Sequence, residues 1–128
     1  MNLLLDTHVF IWATANPDRL SEKVINLLHD TNNQWLLSMV SVWEMQIKTQ
    51  LGKLDLKLPL PELIETQKRV NNLEVLPIKL EHIFSLRDLP NYHRDPFDRL
   101  IIAQGMLEQL AIVSIDSIFD RYTVNRIW

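Results

Sequence analysis

The order of apolar and polar segments predicts an α/β chain, a three-layer α/β/α sandwich with a mainly parallel central sheet. Two observations carry this. Short, continuous apolar runs, Leu3–Leu5, Trp35–Leu37 and Ala111–Ile115, have the look of strands buried on both faces. Between them lie segments with helical spacing, and strand–helix–strand alternation is the pattern of a parallel sheet covered by helices. The 128 residues suit one domain spanning 1–128 and bury enough surface to need no staple.

Taken in order, Leu3–Leu5 is the first strand and ends at Asp6-Thr7-His8. Val9 to Ala15 packs on the sheet as helix or turn, and Asn16-Pro17-Asp18 is a turn. Ser21 and Glu22 open a helix to about His29 with Val24, Leu27 and Leu28 inward, and Asn32-Asn33 is a loop. Trp35–Leu37 is the second strand. Ser38 and Ser41 offer N-caps, Ser41-Val42-Trp43-Glu44 fits a capping box, and Gly52 suits the position just past the helix end. That register puts Glu44 in a first helical turn. Lys53–Leu58 alternates but is too polar for a central strand, and Pro59 and Pro61 precede a helix from about Glu62 to Val70. Leu73–Ile78 is a third strand limited by Pro77, and Glu81–Leu89 is a helix. Asp95 caps a helix with Pro96 in its first turn and Phe97, Leu100, Ile101, Leu107 and Leu110 on its core face. Ala111–Ile115 ends at Asp116, Ile118-Phe119 begins a short helical turn, and Tyr122–Trp128 supplies an edge strand.

Composition excludes several classes. There is no cysteine, so disulfides and thiolate metal sites are out, in keeping with a reducing cytoplasm. The apolar start is cut by Asp6 and lacks a basic region, so it does not resemble a signal peptide, and no apolar run approaches the ~20 residues of a membrane span. A net charge of −3 argues against a broadly basic nucleic-acid coat.

Four acids stand at positions where α/β proteins build sites. Asp6 and Asp116 follow apolar strands, while Glu44 and Asp98 sit near helix starts. Each has a plainer role open to it. Asp98 suits a second capping carboxylate, Glu44 a cap paired with Lys48, and Asp6 and Asp116 turn residues. If they converge, their mutual repulsion calls for a cation, and all-oxygen ligation points to Mg²⁺ or Mn²⁺. Metals in such a cluster activate water and stabilise the oxygens of an in-line displacement, which suits phosphodiester hydrolysis. His8 can orient a phosphate or make a local hydrogen bond. His29, His82 and His93 show no metal-ligand spacing. Arg94 and Arg99 flank the acidic stretch and suit either phosphate contact or a paired, solvated role.

The ordered set Leu4-Leu5-Asp6-Thr7-His8, Ser41-Val42-Trp43-Glu44, Gly52-Lys53-Leu54, Asp95-Pro96-Phe97-Asp98-Arg99-Leu100-Ile101-Ile102-Ala103-Gln104 and Ser114-Ile115-Asp116 resembles the PIN domain. More narrowly it resembles the VapC-like toxins of bacterial toxin–antitoxin pairs. The resemblance spans essentially the whole chain. It implies a Mg²⁺- or Mn²⁺-dependent ribonuclease, a homodimer, and a cognate antitoxin whose tail covers the active site. Its acidic quartet falls on Asp6, Glu44, Asp98 and Asp116. The family often has alanine at Gly105 and threonine at Ser114, and neither change removes a ligand. RNA and the antitoxin come only from the resemblance. The competing reading is a catalytically silent PIN-like interaction module, disfavoured because no quartet acid is missing. An aspartyl-phosphate phosphatase is disfavoured because His8 stands where that chemistry wants a second acid.

Overall fold

The computed structural model describes residues 1–128. Five strands form one sheet: β1 (Asn2–Leu5), β2 (Gln34–Ser38), β3 (Glu74–Leu76), β4 (Ala111–Val113) and β5 (Asn125–Ile127). Their order is β3-β2-β1-β4-β5 and every pairing is parallel. The connecting helices are α1 (Thr7–Ala15), α2 (Glu22–His29), α3 (Met39–Gln50), α4 (Leu60–Asn71), α5 (Leu80–Ser85) and α6 (Pro96–Leu107). Three short 3₁₀ turns cover Pro17–Arg19, Leu86–Asp88 and Ser117–Arg121.

Side chains alternate across the central strands, so each strand feeds two cores. Leu3, Leu5, Leu37 and Val113 join one apolar cluster with residues of α1, α2, α3 and α4. Leu4, Leu36 and Ile112 join a second with Leu100, Ile101 and Ile102 of α6. This is the expected three-layer sandwich. The two clusters explain why the central runs are apolar at every position rather than at alternate ones.

The expected elements are all present, with β1 and β2 slightly longer than expected and the other three strands shorter. β3 stops at Leu76, before Pro77, which has no N–H for the ladder. β4 stops at Val113, β5 is confined to Asn125–Ile127, and the expected helix over 81–89 divides into α5 and a 3₁₀ turn. Gly52 does end α3. At φ +70° it lets Lys53 N–H reach Lys48 C=O at 2.9 Å and its own N–H reach Thr49 C=O at 3.2 Å.

The start of α3 corrects the sequence reading. Its N-cap is Ser38, whose hydroxyl accepts from Val40 N–H at 3.1 Å, so the helix begins directly at the strand end. Ser41 is therefore inside the helix, and Glu44 lies in the second turn, not in a capping box. Gly105, where the family often has alanine, marks a close approach of α6 to the sheet: a Cβ there would stand 2.6 Å from Ile112 Cδ1.

Candidate metal centre

In the strand order 3-2-1-4-5 the direction of winding reverses between β1 and β4, which opens a crevice outside the strands' carboxyl ends. Asp6 follows β1 and Asp116 lies just beyond β4, so these acids flank the crevice from its two walls. Ser114 ties them together. Its hydroxyl donates to Asp6 Oδ2 at 2.6 Å and accepts from Asp116 N–H at 3.0 Å.

Asp6 is 4% exposed and both its oxygens are engaged. Oδ1 accepts from His8 N–H at 3.2 Å, with the His8 ring 3.8 Å away, and Oδ2 takes Ser114. Burial pushes the carboxyl up, but the contacts from His8 and Ser114 outweigh it and hold the group below its ordinary value. Reciprocally, the Asp6 carboxylate raises His8 against the opposing effect of burial.

Glu44 reaches the same edge from one turn further along α3 than expected. It is as buried as Asp6, and it too is fully met. Oε1 lies 2.8 Å from Thr7 Oγ1, and Oε2 accepts from Lys48 Nζ at 2.8 Å. Thr7 Oγ1 is also 2.8 Å from Ser41 Oγ, so the hydroxyl misread as a helix cap completes a Ser41–Thr7–Glu44 chain. The expected Glu44–Lys48 pair exists, with its acid end buried rather than solvated.

Asp98 differs. Asp95 is the N-cap of α6, its Oδ1 accepting from the N–H groups of Phe97 and Asp98, so Asp98 is free of capping duty. His93 Nε2 stands 3.1 Å from Asp98 Oδ2, and the carboxylate accepts no hydrogen bond from the protein. Burial, followed by the negative charges of Asp6 and Asp95 and, more weakly, Glu44, pushes its carboxyl up to about 7, against the pull of His93. Asp98 shares His93 with Asp116, Ser114 joins Asp116 to Asp6, and Thr7, next to Asp6, meets Glu44, so the four predicted acids stand along one edge.

His93 is the residue that spacing did not reveal. Its Nε2 lies 2.9 Å from Asp116 Oδ2, and ligand atoms of His93, Asp98 and Asp116 fall within 4.8 Å of one another. It lies outside every regular element, five residues before Asp98 on a loop. The only sequence signal was a histidine two residues before the capping Asp95. Asp116 caps the following 3₁₀ turn through Oδ1, which accepts from Ile118 N–H at 3.0 Å.

The flanking arginines part company. The Arg99 guanidinium donates to four carbonyls, of Leu86, Leu89, Pro90 and His93, at 2.9–3.4 Å, so it braces the loop before α6 instead of facing solvent. Arg94 is exposed. His82 is wholly buried, its Nδ1 accepting from Lys79 N–H at 3.0 Å and its Nε2 2.9 Å from Glu108, remote from the acids in the fold. His8 and Lys48, which contact Asp6 and Glu44, also line a neighbouring cavity of about 620 Å³ with Arg19, Lys53 and Lys57.

The donor set fits a hard divalent cation. It is carboxylate-rich and contains a carboxyl raised by burial and, after it, by the repulsion of other carboxylates, which a bound cation relieves. No helix is long and apolar enough to cross a membrane.

The fold is shared with solved structures. A chain of VapBC2 from Rickettsia felis, bound to a DNA fragment from its promoter, superposes with a TM-score of 0.74 at 18% identity, covering 99% of this chain and 98% of that one. A chain of VapBC-1 from nontypeable Haemophilus influenzae gives 0.66 at 17%, covering 99% and 97%. One of DNA-bound VapBC from Salmonella typhimurium gives 0.66 at 19%, covering 100% and 97%. No curated protein matches the sequence. The PIN domain family matches residues 3–125, nearly the whole chain, and the protein belongs to that family.

Proposed function

We propose that the protein is a Mg²⁺- or Mn²⁺-dependent endoribonuclease, the toxin of a toxin–antitoxin pair. The observation that carries the reading is Asp98: a largely buried carboxylate that accepts no hydrogen bond, has His93 Nε2 as a contact at 3.1 Å, and is pushed up to about 7 by burial and by the surrounding acids. A structural role gives no reason to keep such a group, since a buried charge is tolerated when paired.

Asp98, Asp6, Glu44 and Asp116 would hold the metal, directly or through water. Bound there, the cation would supply charge stabilisation for the phosphodiester's developing negative charge and lower the pKa of an attacking water. Asp6 and Glu44 are pre-oriented by Ser114, Thr7 and Lys48, so their carboxylates need no rearrangement to act. The cavity beside the site, where Arg19, Lys48, Lys53 and Lys57 outnumber the one acid, Asp55, suits an RNA backbone approaching an acidic centre. Exposed Arg94 offers a further phosphate contact.

The antitoxin belongs to the same reading, because the fold's neighbours are VapBC assemblies. So does a homodimer. Trp12 is covered within the chain, packing edge-on against Trp128 at 6.2 Å and beneath the Arg19 guanidinium at 4.6 Å. Trp43, 59% exposed, and Leu80 and Phe84 of α5, 66% and 67% exposed, are the apolar side chains that a second copy would cover.

Purified protein incubated with total cellular RNA, with and without Mg²⁺ or Mn²⁺, tests the reading. Discrete metal-dependent ends are expected. Intact RNA under all conditions, together with tight binding to a protein partner, would favour the silent interaction module.

A further inference from the structure

His93 completes the geometric cluster with Asp98 and Asp116, and on distance alone it would be counted as a metal ligand. Its other nitrogen argues otherwise. Nδ1 accepts from Asp95 N–H at 3.3 Å, so the lone pair is on Nδ1 and the proton on Nε2. Nε2 then donates to Asp116 Oδ2 at 2.9 Å and abuts Asp98 Oδ2 at 3.1 Å. To ligate a cation through Nε2, the proton would have to move to Nδ1, where it would confront the Asp95 N–H.

The residue is also held on every side. Its N–H donates to Tyr122 Oη at 2.8 Å, and Tyr122 donates in turn to Pro90 C=O at 2.6 Å. Its carbonyl accepts from Arg99 at 3.2 Å, and its ring leans on Phe119 at 5.6 Å between centroids. The ring therefore has little freedom to turn toward a different partner. Arg99, which looked available to a substrate, and Tyr122, which the sequence reading assigned only to an edge strand, find a use here.

We propose that His93 is a positioning residue for the metal centre, an Nε2–H donor that fixes Asp116 and the spacing between Asp116 and Asp98, and not itself a ligand. This rests on the metal-dependent reading above. It gives Asp116, the cap of a short 3₁₀ turn, an anchor that the regular elements do not supply. It also holds the His93 N–H 3.1 Å from Asp98, which accepts no hydrogen bond.

The test has two parts that fail separately. In ¹⁵N-histidine-labelled protein, with the His93 ring assigned from the spectrum of His93→Gln, long-range ¹H–¹⁵N correlations report which nitrogen carries the proton. A proton on Nε2 is expected without metal and throughout a Mg²⁺ titration. An unprotonated Nε2 with Nδ1–H, before or after Mg²⁺, would overturn the proposal.

Mn²⁺ binding, followed by the loss of the free-ion electron paramagnetic resonance signal, supplies the second part. His93→Gln keeps an N–H donor near the Nε2 position and should hold Mn²⁺ within about threefold of the parent. His93→Ala should bind about 10–100-fold more weakly, the usual cost of removing an orienting partner. Equal, large losses in both variants would mark His93 as a ligand and overturn the proposal. A parent that binds no Mn²⁺ would instead refute the metal reading, and the proton position in the metal-free ring would still decide the donor role.

Discussion

Glu44 and Asp98 occupy the same crevice and carry the same charge, yet their surroundings are opposite. Glu44 is the more buried, and each of its oxygens meets a donor, Thr7 on one side and Lys48 on the other. Asp98 is less buried, receives no hydrogen bond, and is pushed up to about 7 by burial and neighbouring acids. Burial alone therefore does not mark a functional carboxylate. The mark is burial without compensation, because the energy needed to keep the charge there is then recovered only when something else binds.

The largest expected effect is on chemistry. Asp98→Asn should lower metal-dependent RNA cleavage by ~10³-fold or more, since the cation contributes several kcal/mol to the transition state. The comparison sharpens in stability. Without metal at pH 8, Asp98→Asn should stabilise the fold by about 1–3 kcal/mol, as it relieves repulsion. Glu44→Gln should destabilise it by about 1–3 kcal/mol, as it breaks a buried, satisfied network. Urea unfolding of both variants decides this, and the same sign for the two would break the contrast.

The pH dependence follows from the same asymmetry. Folded Asp98 holds its proton to about pH 7, whereas the unfolded chain releases it near the ordinary value of 3.8. The folded state therefore binds more protons across that window. The contribution of this group is complete below about pH 4 and is lost as pH rises to about 7, with a slope of at most about 1.4 kcal/mol per pH unit. His8, raised by Asp6, adds a decline of the same sign as pH passes through its titration. The difference between the parent and Asp98→Asn in metal-free unfolding isolates the Asp98 part, and a difference that does not change between pH 4 and pH 7 would contradict it.

The smallest effect is a control on the same helix, away from the crevice. Gly105→Ala gains about 1 kcal/mol of helix propensity but presses on Ile112, and overpacking costs about 1–3 kcal/mol. A net loss of about 1 kcal/mol is expected. Adding Ile112→Val, which removes the Cδ1 in the way, should recover at least ~0.5 kcal/mol beyond additivity. Thermal unfolding measures the cycle, and neither change should alter Mn²⁺ binding.

Much of this was legible in sequence because it depends on local order. Continuous apolar runs give doubly buried strands, and Asp95-Pro96 gives a helix start. Acids after Leu5 and Val113 fall on one edge because parallel strands all end there. What was not legible depends on the path of the chain in space. The helix beginning at Ser38 instead of Ser41 follows from how β2 hands over to α3, and both serines are equally good caps on paper. His93 is invisible to ligand-spacing rules because its partners lie 5 and 23 residues away, and a loop braced by Arg99 and Tyr122 brings them together. The exposure of Trp43 beside the burial of Trp35 likewise reflects which helix face the sheet leaves uncovered.

The most direct measurement is calorimetric titration of Mn²⁺ into the parent, Asp98→Asn and Glu44→Gln at pH 7.5, with RNA cleavage followed in the same samples. The account predicts that the parent binds Mn²⁺ and cleaves RNA, that Asp98→Asn loses both while melting higher without metal, and that Glu44→Gln weakens binding and melts lower. An Asp98→Asn protein that binds Mn²⁺ and cleaves RNA as the parent does would contradict it.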